Sequence, residues 1–226
     1  MIDHLFPTPV GIYELERNIT TKELDYVKSL NRRANSHNES SSNNYILNDC
    51  EELKSIKDFI ENSINEYVSE VISPPKEIST YMTQSWANFT EAGQSHHGHA
   101  HQNSMISGVF YIQAVEQRDS VMFHKPNAGE WPLYVTPQKY NHFNSDCWEY
   151  GVTTGQLYLF PSHLSHSVPE VGAGTNGKMP TAKDKDGNYI QGSTRISLSF
   201  NTWCDGIFGI YNNLNELVLE KNSRYE

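Results

Sequence analysis

A chain of 226 residues, 37% hydrophobic, with a formal net charge of −10, has the size and composition of one acidic globular domain. So acidic a chain lacks the basic footprint that phosphate backbones and anionic lipids require, which argues against nucleic acid and against a membrane as partners. No run is long and apolar enough for a spanning segment. Asp3, Glu14 and Glu16 break up the N-terminal stretch, and Cys50, Cys147 and Cys204 are odd in number and widely spaced. This pattern fits a cytoplasmic protein with reduced thiols.

In chain order, Phe6 to Leu15 reads as a strand after a Pro-rich start. Thr20-Thr-Lys-Glu23 has the form of a capping box, in which a hydroxyl and a carboxylate satisfy the free N–H groups of a helix start, and it predicts a helix to about Arg33. Ala34 to Asn44 reads as a polar loop. Leu53, Ile56, Ile60, Ile64, Tyr67, Val68 and Val71 recur at helical spacing and predict a second helix from Glu51 to Ile72, ended by Pro74-Pro75. Ile78 to Phe89, Met105 to Gln113, Ser120 to Lys125, Leu133 to Thr136, Gln156 to Phe160 and Arg195 to Trp203 then read as strands between Gly and Pro turns.

This order predicts a mainly β fold, a double-stranded β-helix (jelly roll, cupin-like) with N-terminal helices packed on one sheet. The chain reads as a single domain over 1–226. Residues 1–77 form an N-terminal strand and helical support, 78–205 the jelly-roll core, and 206–226 a C-terminal tail. Within the core, Val171 to Gly192 is an insertion with five glycines, a length that reads as a lid or a disordered segment.

The chemistry gathers in Gly93 to Ile112, GQSHHGHAHQNSMISGVFYI, where His96, His97, His99 and His101 fall within six residues. Side chains two apart on extended backbone point the same way, so His99 and His101 can offer two imidazoles to one metal ion. A third ligand must come from far along the chain. Gln156 to Val168, QLYLFPSHLSHSV, offers His163 and His166 after an apolar strand and a Pro turn. Arg195 opens RISLSFNTW, a period-two strand with Arg195, Ser197 and Ser199 on one face and Ile196, Leu198 and Phe200 on the other. A guanidinium and two hydroxyls on one face of a buried strand suit a carboxylate. Plainer roles stand beside these: solvated imidazoles for His96, His97, His124, His142 and His163, core packing for Tyr111, a salt bridge for Arg195, and turn amides for Asn88 and Asn103.

Taken together, His99-Ala-His101, Gln-Asn-Ser-Met-Ile-Ser-Gly-Val-Phe-Tyr-Ile, Leu-Phe-Pro-Ser-x-Leu-x-His166 and Arg195-Ile-Ser-x-Ser-Phe-Asn resemble the 2-oxoglutarate- and iron(II)-dependent oxygenases. Within that superfamily the chain looks most like an oxygenase family common in marine bacteria and their phages, whose members often open as Leu5 to Val10 does here. The resemblance implies that His99, His101 and His166 hold Fe(II). It also implies that Arg195 binds the distal carboxylate of 2-oxoglutarate, with Tyr111 and Ser197 or Ser199 in support. Asn88 and Asn103, by their position flanking the metal stretch, are candidates for contact with the co-substrate or for turn amides. His-Ala-His replaces the His-x-Asp of the wider superfamily, so the third ligand is either His101 or a carboxylate from elsewhere.

What the resemblance implies chemically is oxidative decarboxylation of 2-oxoglutarate with dioxygen, coupled to hydroxylation of a substrate, with a protein or peptide side chain or an amino acid in first place. It places such a protein in the host cytoplasm if a phage encodes it and admits a homodimer. Two other classes remain at this level. One is a cupin-like metalloprotein or three-histidine dioxygenase that does not use 2-oxoglutarate. The other is a non-enzymatic jelly-roll binding protein.

Overall fold

The structure is a computed structural model that describes residues 2–126, 136–172, 194–209 and 215–222. The strand expected from Leu133 and the insertion beyond Gly172 lie outside these residues, so neither expectation is met or refused. In chain order the described elements are β1 (Gly11–Glu14), α1 (Thr21–Ser29), β2 (Arg32–Asn35), β3 (Asn38–Ser41), α2 (Lys54–Val71), β4 (Ser79–Thr90), β5 (His96–His99), β6 (Ile106–Gln113), β7 (Ser120–His124), β8 (Cys147–Gly151), β9 (Gln156–Pro161), β10 (His166–Val168), β11 (Arg195–Phe208) and β12 (Leu217–Leu219). A single 3-10 turn, Glu51–Leu53, leads into α2.

Two antiparallel sheets stack as a jelly roll. The larger has the order β1-β9-β6-β11-β4-β3-β2, with β12 paired to the far end of β11, and the smaller has the order β5-β10-β7-β8. Alternation along the central strands gives the larger sheet two different faces. Ile106, Phe110 and Ile112 of β6, Leu157 and Leu159 of β9, and Ile196, Leu198 and Phe200 of β11 join Ile56, Ile60, Ile64 and Tyr67 of α2 in one buried cluster. The intervening residues Val109, Tyr111, Tyr158 and Phe160 turn the other way and pack with Val121 and Phe123 of the smaller sheet. Fully burying each such aliphatic or aromatic side chain contributes about 1.5–3 kcal/mol, so the two clusters fix which face is which.

The capping box forms as expected, with the Thr20 hydroxyl accepting from the Glu23 N–H and the Glu23 carboxylate accepting from the Thr20 N–H. The helix it starts is shorter than its composition predicts. Leu30 is already extended, and Arg32 pairs with Ser41 in a hairpin where a helix end and a polar loop are expected. Arg32 and Arg33 are good helix formers, but the ladder to β3, and from Glu39 and Ser40 of β3 to Phe89 and Asn88 of β4, outweighs that propensity. The first strand is also shorter than Phe6 to Leu15. Pro7 and Pro9 have no N–H to give a ladder, and pairing with β9 begins at Gly11. β8, β10 and β12 add strands that the sequence pattern does not reveal. Cys50, Cys147 and Cys204 are free thiols, as expected.

The glycine of Ser-Gly-Val on β6 has a packing reason. Gly108 pairs with Phe200 of β11 on one side and Leu159 of β9 on the other, and a Cβ there would run into the Phe200 ring. Gly108→Ala should therefore destabilise the protein by about 1–3 kcal/mol through overpacking. Urea unfolding that gives the variant the same midpoint as the wild type would refute this packing account.

Candidate metal and co-substrate site

A pocket between the two sheets collects residues from five separate parts of the sequence. His96, His99 and His101 come from the stretch around β5, His166 from β10, Trp86 and Asn88 from β4, and Arg195, Ser197 and Ser199 from β11, with Tyr111 of β6 at its inner end. Of the residues the sequence offers, His99, His101, His166, Arg195, Tyr111, Ser197, Ser199 and Asn88 line this one cavity. Asn103 does not. It is exposed in the turn before β6, with a φ of 53°.

The imidazoles belong to the smaller sheet. His166 of β10 pairs directly opposite His99 of β5, and His101, just beyond β5, is tied down by its N–H donating to the Ser162 carbonyl at 2.9 Å. His99, His101 and His166 each bring a ring nitrogen within 4.8 Å of the others'. Two of the rings are set by backbone. His99 Nδ1 is 2.9 Å from the His97 carbonyl and His166 Nδ1 is 3.0 Å from the Leu164 carbonyl. A carbonyl can only accept, so each Nδ1 carries the proton and each Nε2 is left with a free lone pair, as a metal-ligating histidine needs. Rings of Phe160 and Trp86 lie 4.7 Å from His166 and 5.9 Å from His101 and limit their rotation.

Burial favours the neutral form of these imidazoles. Burial, and then the neighbouring histidines, pushes His166 down to about 3 and His101 down to about 4, and burial also lowers His99. Neither histidine group that could hold an ion contains a carboxylate among the described residues. The His-Ala-His variant thus gives three uncharged nitrogen donors.

On the facing sheet, a row runs across three strands. Ser197 of β11 pairs with Asn88 of β4 on one side and Tyr111 of β6 on the other. Arg195 is 2% exposed, its Nη2 donates to the Tyr111 hydroxyl at 3.3 Å, and its Nε is buried without a partner. The salt bridges among the described residues include none to Arg195. An isolated buried charge is costly, so this guanidinium is built for an anion that arrives from outside the chain. Because the Tyr111 oxygen accepts from Arg195, its own proton is free to donate. Burial keeps that phenol protonated by raising its pKa. Asn88 gives Nδ2 to the Ser199 hydroxyl at 2.9 Å and keeps a buried, unpartnered Oδ1.

His96 is the residue that period-two reasoning misses. Between the pairs His99↔His166 and His96↔Val168, the two residues His97 and Gly98 face Ser167 alone, a bulge that swings His96 to the His99 side. Its ring lies 4.6 Å from that of His99 and lines the pocket, and burial followed by the charges of its neighbours lowers its pKa to about 4. Only the Gly between the histidines, a common bulge residue, hints at this in the sequence. The remaining histidines expected to be solvated are set apart: His163 and His142 are exposed, and His124 is 2.9 Å from the Ser167 hydroxyl.

A family model described as "Putative 2OG-Fe(II) oxygenase" matches residues 84–176, which hold the three histidines and Tyr111. No curated protein matches the chain. Among solved structures, the epimerase SnoN in complex with Fe3+, alpha ketoglutarate and nogalamycin RO is similar, with a TM-score of 0.55 at 10% identity over 96% of this chain and 93% of that one. HygX from Streptomyces hygroscopicus, with nickel, 2-oxoglutarate and hygromycin B bound, gives a TM-score of 0.52 at 8% identity over 86% and 82% of the two chains. A 2OG-Fe(II) oxygenase family oxidoreductase from Burkholderia pseudomallei gives 0.50 at 8% identity over 79% and 75%. At such identities the likeness is one of fold. The matched stretch carries His99, Ala100, His101 and His166, so this part of the chain is similar to the 2-oxoglutarate- and iron(II)-dependent oxygenases, and the chain shares the jelly-roll fold of those solved structures.

Proposed function

We propose that the protein hydroxylates a substrate at the expense of 2-oxoglutarate and dioxygen, with Fe(II) held by His99, His101 and His166. The observation that carries this is the buried Arg195 guanidinium, unpaired at Nε, in the same pocket as three neutral imidazoles. A metalloprotein without a carboxylate co-substrate has no use for that charge, and neither has a binding module that has lost its chemistry.

The residues fit both groups. Three imidazoles with two Nδ1 atoms committed to carbonyls suit a late first-row divalent ion, and they add no charge, which leaves the ion its full attraction for an anion. When bound, iron and 2-oxoglutarate supply the oxidant by oxidative decarboxylation to succinate and carbon dioxide. The chain's own work is binding and orientation. Arg195 forks onto the distal carboxylate, Tyr111 donates its hydroxyl proton to the same group, and Ser197, in their row, is the serine that assists. Asn88 and Ser199 extend this polar wall toward the imidazoles, while Val109, Val121 and Phe160 keep water away from the reacting atoms.

The substrate has a way in. An open groove of about 580 Å³ shares Trp86, His96 and His101 with the pocket and runs along the β2–β3 hairpin past Arg33, Asn35 and Asn44. Beside the shared Trp86 and histidines, its polar lining is the carboxamides of Asn35, Asn44, Gln84 and Asn201, the Ser40 hydroxyl and the Arg33 guanidinium, with no carboxylate among the described residues that line it, which suits an amino acid or a peptide side chain with its hydrogen-bonding backbone.

Two measurements test this. Anaerobic addition of 2-oxoglutarate to the iron(II) protein should give the visible charge-transfer band of a chelated 2-oxo acid, weakened in Arg195→Ala and abolished in His101→Ala. Iron binding without any band would remove the 2-oxoglutarate role of Arg195. The second is pH dependence. The folded chain holds His101 near 4 and His166 near 3, below the 6.5 of a free histidine, so the unfolded chain binds protons that the fold refuses. Stability present above pH 6.5 is then lost as pH falls toward these values, and bound iron should steepen the loss because protons and metal compete. A thermal midpoint that stays level from pH 6.5 to 4 would count against neutral, metal-ready imidazoles.

A further inference from the structure

We infer that His96, His97 and His99 form an outer metal site, and that a divalent transition-metal ion passes from it to His99, His101 and His166. The inference rests on the assignment of the inner three histidines as the iron site and adds a route to it.

Two trios of histidines in this chain meet the same geometric condition. In each, one ring nitrogen per residue lies within 4.8 Å of the other two. A point then exists roughly 2.8 Å or less from all three, against about 2.0–2.1 Å in a formed imidazole site, so rings that move by under about 1 Å complete either one. The outer trio is produced by the β5 bulge, which sets the His96 ring 5.0 Å from His97 and 4.6 Å from His99. Without that bulge, His96 would face away from His99 and no outer site would exist.

The trios share His99, and that sharing sets the chemistry. His99 Nδ1 holds its proton against the His97 carbonyl at 2.9 Å, so only Nε2 can bind metal. One lone pair cannot serve two ions, so the outer and inner sites exclude each other and the chain carries one ion that changes partners. His99 keeps hold throughout, while the bonds to His96 and His97 break and those to His101 and His166 form. All five rings bind as neutral donors, so no charge is created or lost in the exchange. Exposure sets the direction. His97 is exposed whereas His99, His101 and His166 are half-buried, so the outer trio presents the most exposed imidazole to an ion from solvent, beside the groove that reaches His96 and His101.

The test uses the full chain, anaerobically, with cobalt(II) alone as the probe and its visible bands as the readout. Wild type should take up one cobalt per chain. His97→Ala, a change at an exposed side chain, should reach the same final stoichiometry several-fold more slowly. His166→Ala should retain one more weakly bound cobalt, and His97→Ala combined with His166→Ala should lose it. Equal loading rates for wild type and His97→Ala would overturn the route, and so would equal binding by His166→Ala and the double variant. Two cobalt ions per wild-type chain would overturn the exclusion through His99. If His166→Ala binds cobalt as tightly as wild type, the inner-site assignment itself falls.

Discussion

Along β11, Arg195, Ser197 and Ser199 face one side and Ile196, Leu198 and Phe200 the other, and the strand is clamped in register between β6 and β4. Everything else hangs on that register. A slip of one residue would drive the guanidinium into the helix-backed core and put isoleucine and leucine in the pocket, exchanging a desolvated charge for apolar surface facing polar groups. The ladder therefore has two guards. The apolar face is fastened by α2 and the Phe200 contact over Gly108, and the polar face by the Asn88–Ser197–Tyr111 row.

The two sheets divide the work. The smaller one offers nitrogen donors, the larger one a cation and hydroxyls, and the pocket exists only because the jelly roll stacks them. The nitrogens come from short, irregular pieces: β10 is three residues long and His101 lies past the end of β5. Such pieces hold little pairing energy of their own. Their rigidity is borrowed from the His101 N–H bond to Ser162, the two Nδ1–carbonyl bonds, and the rings of Phe160 and Trp86. Strong strands on one side and pinned loops on the other let the cation side stay fixed while the imidazoles keep the small freedom that taking up an ion requires.

Much of this was legible in the residues. Strands β6, β9 and β11, the capping box at Thr20 and helix α2 follow from periodicity and local chemistry, and eight of the candidate residues converge on one pocket as their order along the chain implies. What was not legible depends on partners far away. The Arg32–Ser41 hairpin is polar throughout, and its strand character comes from backbone pairing that side-chain patterns do not record. β10 is too short to show a period. His96 reads as a solvated residue until a bulge against β10 turns it inward, a register event that no local window contains.

The β2–β3 hairpin sits at the outer edge of the larger sheet and forms one wall of the groove beside the histidines. Its ladder is made of backbone groups, and its groove-facing side chains, Arg33, Asn35 and the nearby Asn44, take no part in either apolar cluster. These side chains make none of the hydrogen bonds that set the imidazoles, and Arg33 bonds to Ser40 and Asn44 beside it. The fold thus separates what a lineage must keep from what it is free to vary. The chemical centre is locked into a two-sided core, while the surface that meets an incoming molecule is carried on an edge where new side chains can be tried at little structural cost.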